Sequence, residues 1–187
     1  MQRSGGGSGM ELIAALADIC KTSDQPIIAI DGPAGAGKTT LAATLSLALA
    51  QDFTITVIHM DDLYAGWEDA LGTALTESLT WITRSHKAGK ELIYSPFNWS
   101  QNDFDPPRHC ASTSLLILEG VGSSQVAVEE FLATSIWIDL DPIIGFQRVI
   151  ERDGDHISES MKGWLDQQRQ HFASDRTKER SEFILST

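Results

Sequence analysis

Gly32, Pro33, Ala34, Gly35, Ala36, Gly37, Lys38 and Thr39 satisfy the spacing G-x-x-x-x-G-K-[ST], and each fixed position has a mechanical reason. Several backbone N–H groups can approach phosphate oxygens together only where glycines allow the required dihedrals and no side chain intervenes. The helix expected to follow, with Thr39 and Thr40 in its first turn, adds the positive end of its dipole. Lys38 then brings a compact charge to the β and γ phosphates of a nucleotide, and the Thr39 hydroxyl is placed to ligate Mg²⁺. A chance glycine turn would lack the flanks this segment has, a buried strand before it and a helix after it.

Phosphoryl transfer also needs oxygen ligands for Mg²⁺ and a carboxylate near the γ phosphate to accept the proton of an attacking hydroxyl. Ligands of open α/β sheets bind outside the carboxyl ends of the strands, so acids at strand ends are the candidates. Asp61 and Asp62 follow the second predicted strand, Glu119 ends the third, and Asp139 and Asp141 close the fourth. Asp61 is read as the base that positions the acceptor and as a metal ligand, and Glu119 as an acid acting on Mg²⁺ directly or through water. A helix cap or solvated loop acid is the competing role for either residue. Asp139 and Asp141 precede Pro142, and capping the next helix is the job that position suggests.

These residues need a scaffold, and the hydrophobic pattern supplies one. The apolar runs Ile27 to Ile30, Thr54 to His59, Leu115 to Leu118, Ile136 to Leu140 and Phe183 to Leu185 read as buried strands. Helical spacing is found at about 11–21, 39–51, 68–87, 125–133, 142–152 and 158–173. Strands interleaved with helices imply an α/β fold: a doubly wound, mostly parallel five-stranded sheet with helices on both faces. Residues 94–114 are rich in Pro, Asn and Asp and read as a long loop on the acceptor side. Residues 1–9 read as a flexible tail or cloning scar, leaving 10–187 as one domain.

Composition narrows the function. With 14 basic and 26 acidic residues the net charge is -12, which disfavours broad binding to nucleic acid or to anionic membranes. No apolar run is long enough to span a bilayer and no leader is visible, so a cytoplasmic location is expected. The two cysteines, Cys20 and Cys110, offer neither a disulfide framework nor a zinc site.

Taken together, the P-loop, the Asp61-Asp62-Leu63-Tyr64 segment and Leu118-Glu119-Gly120 resemble the uridine kinase and phosphoribulokinase-like branch of the P-loop kinases. The resemblance runs from about Pro26 to the carboxyl end. It implies a P-loop NTPase kinase fold with a small helical lid at about 145–175, ATP and Mg²⁺ as cofactors, and Asp61 facing the acceptor hydroxyl. It also gives Tyr64 a substrate-side role, with ordinary packing of an aromatic after a strand as the equal alternative, and places lid arginines at Arg148 and Arg152, one residue further apart than in the family pattern. Either arginine could instead be an exposed helix charge paired with Glu151 or Asp155. Residues 145–187 do hold 7 of the 14 basic side chains, a local cationic element in an acidic chain. Tyr94 to Trp99 stands where relatives carry Tyr-Asp-Phe or Tyr-Asp-Trp, with Asn98 in place of the acid. Asn98 and Trp99 are thereby substrate candidates, as is Asp62; Trp67 and Trp99 could stack on a base or sugar or merely fill gaps.

The activity so implied is an ATP-dependent small-molecule kinase, acting on a hydroxyl of a nucleoside or related sugar-bearing metabolite. A nucleoside monophosphate kinase is the nearest alternative, but only Arg84 and Arg108 lie between the P-loop and Glu119 to hold an acceptor phosphate. A GTPase is disfavoured because no guanine motif occurs late in the chain. A nucleotide-binding module without catalysis remains, distinguished by ATP binding without turnover.

Overall fold

Ile27–Asp31 is a mostly β-branched run without polar alternation, and it becomes a central strand buried along its whole length. The computed structural model describes residues 3–4 and 9–187. Its strands are β1 (Arg3–Ser4), β2 (Ile27–Asp31), β3 (Ile55–His59), β4 (Leu92–Tyr94), β5 (Phe97–Asn98), β6 (Asp103–Phe104), β7 (Arg108–Cys110), β8 (Leu115–Glu119), β9 (Thr134–Asp139) and β10 (Phe183–Ser186). The helices are α1 (Gly9–Thr22), α2 (Lys38–Leu49), α3 (Thr73–Lys87), α4 (Pro142–Asp153), α5 (Ser158–Asp175) and α6 (Thr177–Arg180). One sheet is parallel throughout, in the order β1-β10-β9-β2-β8-β3. β2 lies between β8 and β9, so the winding reverses at β2 and opens a crevice at the carboxyl ends of the strands.

Strand geometry sends successive side chains to opposite faces, and this sheet has a core on each. Ile28, Ile30, Leu115, Ile117, Ile136 and Ile138 pack with Leu16 and Cys20 of α1 and Ala42, Leu45 and Leu49 of α2. Ile27, Ile58, Leu116 and Leu118 pack with Leu75, Leu79 and Ile82 of α3 and Met161 and Trp164 of α5. Two-sided burial explains why these strands read as continuous apolar runs. Cys20 and Cys110 are free thiols, and burial pushes the Cys20 thiol up to about 11.

Four expectations are corrected. The helix expected from 68 begins at Thr73, because Gly72 precedes it in an extended conformation. The helix expected over 125–133 is a 3-10 helix, Val126–Phe131. The expected loop at 94–114 contains two antiparallel ladders, β4 with β7 and β5 with β6, whose strands are too short to leave a periodic signal. Within the expected tail, Arg3–Ser4 adds in parallel to β10 and makes a sixth strand; residues 1–2 and 5–8 lie outside the described residues. No helix among the described residues is long and apolar enough to cross a membrane.

His86, near the end of α3, is buried and donates from Nε2 to the Pro26 carbonyl at 3.1 Å. Burial depresses its pKa below 6.5, outweighing that hydrogen bond. The native ring is therefore held neutral. Its contribution to stability is present above about pH 6.5 and is lost as the pH falls, because the unfolded chain takes up the proton first. Melting temperature is expected to fall between pH 7 and pH 5, less steeply in His86→Gln; identical slopes in the two proteins would refute the assignment.

Candidate functional site

Asp31 ends β2 and is fully buried, yet its carboxylate is well supplied with donors. Oδ1 accepts from the Gly32 and Gly122 amides at 2.8 and 3.1 Å, and Oδ2 from the Ser124 amide and hydroxyl at 3.0 and 3.1 Å. One side chain thus fastens the start of the glycine loop to the loop that follows β8. Burial pushes its carboxyl upward against the Ser124 and Gly32 amides and the Lys38 charge. The glycine loop is also wedged from its far side. A Cβ on Gly32 would sit 2.5 Å from the Ile138 carbonyl oxygen of β9. At Gly35, whose φ is +75°, it would sit 2.4 Å from the Gly145 carbonyl oxygen of α4. Glycine is required there by close backbone approach as well as by conformation.

Lys38 begins α2 with its ammonium turned back into the loop, donating to the Gly32 and Pro33 carbonyls at 2.8 Å each. Burial lowers its pKa, opposed by Asp31, Glu119 and Asp61, so those three acids all bear on this one cation. Thr39 and Thr40 lie exposed at the start of the helix, and Thr39 Oγ1 donates to Glu119 Oε1 at 3.1 Å. His59 Nδ1 hydrogen-bonds the same Glu119 oxygen. His59 and Glu119 are register partners at the carboxyl ends of β3 and β8, and the 3-10 turn Met60–Asp62 follows directly. Asp61 is open to the crevice but hemmed in by protein, and that burial, with the Glu119 charge, raises its pKa; Lys38, Arg152 and His59 oppose the rise. Lys38, Thr39, Asp61 and Glu119 therefore form one electrostatic group.

The arginines divide. Arg148 NH1 donates to the Gly35 carbonyl at 3.3 Å, gripping the loop's backbone. Arg152 chelates Asp153 through Nε and NH2 at 2.7 Å each, and its charge reaches Asp61, Glu119 and Lys38. Neither is paired with Glu151 or Asp155 in these bonds. Asp141 caps α4 by accepting from the Ile143 amide at 2.8 Å. Asp139 does not cap; it bonds Lys178 at 2.9 Å and the Trp137 indole at 3.1 Å, which holds its carboxyl below the usual range.

On the acceptor side two expectations change. Tyr64 is buried, donates to the Val121 carbonyl at 2.8 Å and packs its ring 5.0 Å from Trp164. It is a core residue and not a pocket wall. Asn98 is spent locally: Oδ1 accepts from the Ser100 and Gln101 amides, and Nδ2 donates to Asp105, all at 3.1 Å. It shapes the turn between β5 and β6. Trp99 donates its indole N–H to the Asp61 backbone carbonyl at 3.1 Å, and its ring meets Trp67 and Phe97, each 5.1 Å away, edge-on. Asp62 lies 3.4 Å from Arg108, which also reaches the Tyr94 hydroxyl at 3.3 Å.

Four contributors escape sequence reasoning: Asp31, His59, Gly145 and Gln168. The side chain of Gln168 on α5 is buried and accepts from the Ala34 amide at 3.1 Å, across 134 positions. Only Asp31 carried a local signal, an acid ending an apolar strand directly before the glycine loop.

Hard oxygen donors at Thr39, Glu119 and Asp61 suit Mg²⁺, which is held by one or two carboxylates together with substrate phosphates. The described residues contain no cluster of three His, Cys, Asp or Glu able to hold a metal without such help. The tight fit of α4 on the loop is testable. A Cβ at Gly145 would stand 2.4 Å from the Ala34 carbonyl oxygen. Gly145→Ala is expected to cost about 1 to 3 kcal/mol from overpacking and to weaken ATP binding by at least about tenfold, or 1.4 kcal/mol, in calorimetric titration. Undiminished affinity would show that the contact is dispensable.

No protein-family model matches the chain, and no curated protein matches it. Solved structures do. A possible uridine kinase from Bacillus stearothermophilus superposes with a TM-score of 0.67 at 20% identity, covering 94% of this chain and 98% of its own. A protein provisionally described as a fructose transport system kinase from Silicibacter sp. TM1040 gives 0.63 at 18% identity, covering 92% and 98%. D-glycerate 3-kinase from Cryptococcus neoformans gives 0.60 at 9% identity, covering 97% and 96%. With its glycine loop at the switch point of a parallel sheet, the chain has the doubly wound α/β fold shared by these P-loop kinases.

Proposed function

We propose that the chain is an ATP-dependent kinase that transfers the γ-phosphoryl group to a hydroxyl of a small molecule, a nucleoside or related sugar-bearing metabolite. The observation that carries this reading is the convergence of Lys38, Thr39, Glu119 and Asp61 in the crevice at the carboxyl ends of β2, β3 and β8. The kinase names of its structural neighbours support it.

In this proposal the amides from Gly35 to Thr40 and the dipole of α2 hold the phosphates. Lys38 leaves its loop carbonyls to meet the β and γ oxygens. Thr39, Glu119 and Asp61 would hold Mg²⁺, which supplies positive charge to the phosphate oxygens as the leaving group departs. Asp61 takes the proton of the acceptor hydroxyl as its oxygen bonds to phosphorus, while the bond to the ADP oxygen breaks and ADP leaves. Arg152 is the better placed of the two lid arginines to meet the phosphates, since its charge already reaches Asp61, Glu119 and Lys38 whereas Arg148 is bound to the loop's backbone. Trp99, tied to the Asp61 carbonyl and 40% exposed, offers a ring face beside the base, and Asp62 a hydroxyl acceptor next to it.

A coupled ADP-release assay across nucleosides and sugars tests the reading. Lys38→Ala is expected to abolish transfer, and Asp61→Asn to lower kcat by about 10² to 10⁴ with the fold intact. An unchanged kcat in Asp61→Asn would remove Asp61 from the mechanism, and ATP binding without turnover on any acceptor would favour a non-catalytic module.

A further inference from the structure

We infer that His59 is a positioning residue for the metal-facing carboxylate, holding Glu119 in the orientation the metal–nucleotide complex needs. The inference rests on the kinase reading above, in which Glu119 and Thr39 face the metal.

Geometry supplies the argument. His59 and Glu119 are the last residues of adjacent parallel strands and are paired in register, so their side chains leave the sheet on the same side. Glu119 is nearly buried, while the His59 side chain is 43% exposed along the crevice. Two donors converge on Glu119 Oε1, the Thr39 hydroxyl from α2 and His59 Nδ1 from β3. These donors differ in what else they must do. Thr39 carries its own proposed duty to the metal and stands on the helix that carries the phosphates. His59 stands at the end of β3, hydrogen-bonded within the sheet to the strand that carries Glu119, and bonds the same carboxylate oxygen without leaving that strand.

A carboxylate on a single-bonded stem has several rotamers. Fixing one oxygen by hydrogen bonds restricts the position of the other, the usual work of a group behind a metal ligand. Asp61 and Asp62 also face the imidazole electrostatically, so His59 links Glu119 to the segment that carries the proposed base.

The test compares wild type, His59→Ala and His59→Asn, the last keeping an amide donor close to the position of Nδ1. Mn²⁺ affinity is read by electron paramagnetic resonance with a non-hydrolysable ATP analogue, and affinity for the same analogue is read separately in EDTA. His59→Ala is expected to hold Mn²⁺ about 10- to 100-fold more weakly with its metal-free nucleotide affinity unchanged. His59→Asn is expected to recover most of the loss. Mn²⁺ retained as well as in wild type, or better, by His59→Ala would overturn the inference, the second result marking a histidine that occupies the metal's place. So would an equal loss of nucleotide affinity in EDTA, which marks a merely structural role, or an asparagine variant no better than alanine. A wild-type protein that holds no Mn²⁺ with the nucleotide would overturn the kinase reading itself and this inference with it.

Discussion

The glycine loop hangs on the buried carboxyl group of Asp31. A carboxyl group so far from solvent is tolerable only when its lone pairs are taken, and Gly32, Gly122 and Ser124 take them. Two loops that are distant in sequence are thereby tied to the last residue of one strand. The neighbouring Ile30 carbonyl repeats the arrangement by accepting from the Gly120 amide and the Ser123 hydroxyl. From the other side Arg180 holds the Ser124 carbonyl. The position of Glu119, one residue before this knot, follows from it, and so does the path of the loop that Lys38 closes.

Around that anchor the protein concentrates charge that the rest of the chain disperses. Asp31, Glu119, Asp61 and Arg152 all bear on the ionisation of Lys38, and Glu119, Lys38 and Arg152 on that of Asp61. In the proposed kinase an acidic chain can still take a polyphosphate because the cations need only be local. The low-dielectric walls that make Lys38 costly to bury also make its charge effective.

How much of this could be read from sequence depends on the range over which each interaction acts. Five of the six strands of the parallel sheet and the glycine loop were legible because burial on two faces and the spacing of Gly32, Gly37 and Lys38 are local patterns. Asp61 and Glu119 were legible as acids at strand ends, once the strands were placed. The partner of Gln168 lies 134 positions away, and the match of Gly145 to Ala34 is a matter of backbone approach, so neither leaves a mark on its own neighbourhood. Tyr64 misled because an aromatic after a strand looks the same whether it faces a pocket or Trp164. Asn98 misled because a side chain spent on its own turn and one free for a ligand share a letter. The short ladders of β4 to β7 fell below the length at which alternation shows.

Those ladders have a consequence of their own. Neither pairs with the large sheet, and both lie in the single stretch between α3 and β8. Their link to the Met60–Asp62 turn includes one indole bond from Trp99 to the Asp61 main-chain oxygen, a contact indifferent to the side chain at that position. In the proposed kinase, a wall hung in this way could change its side chains within one segment while the glycine loop and its anchors stay as they are.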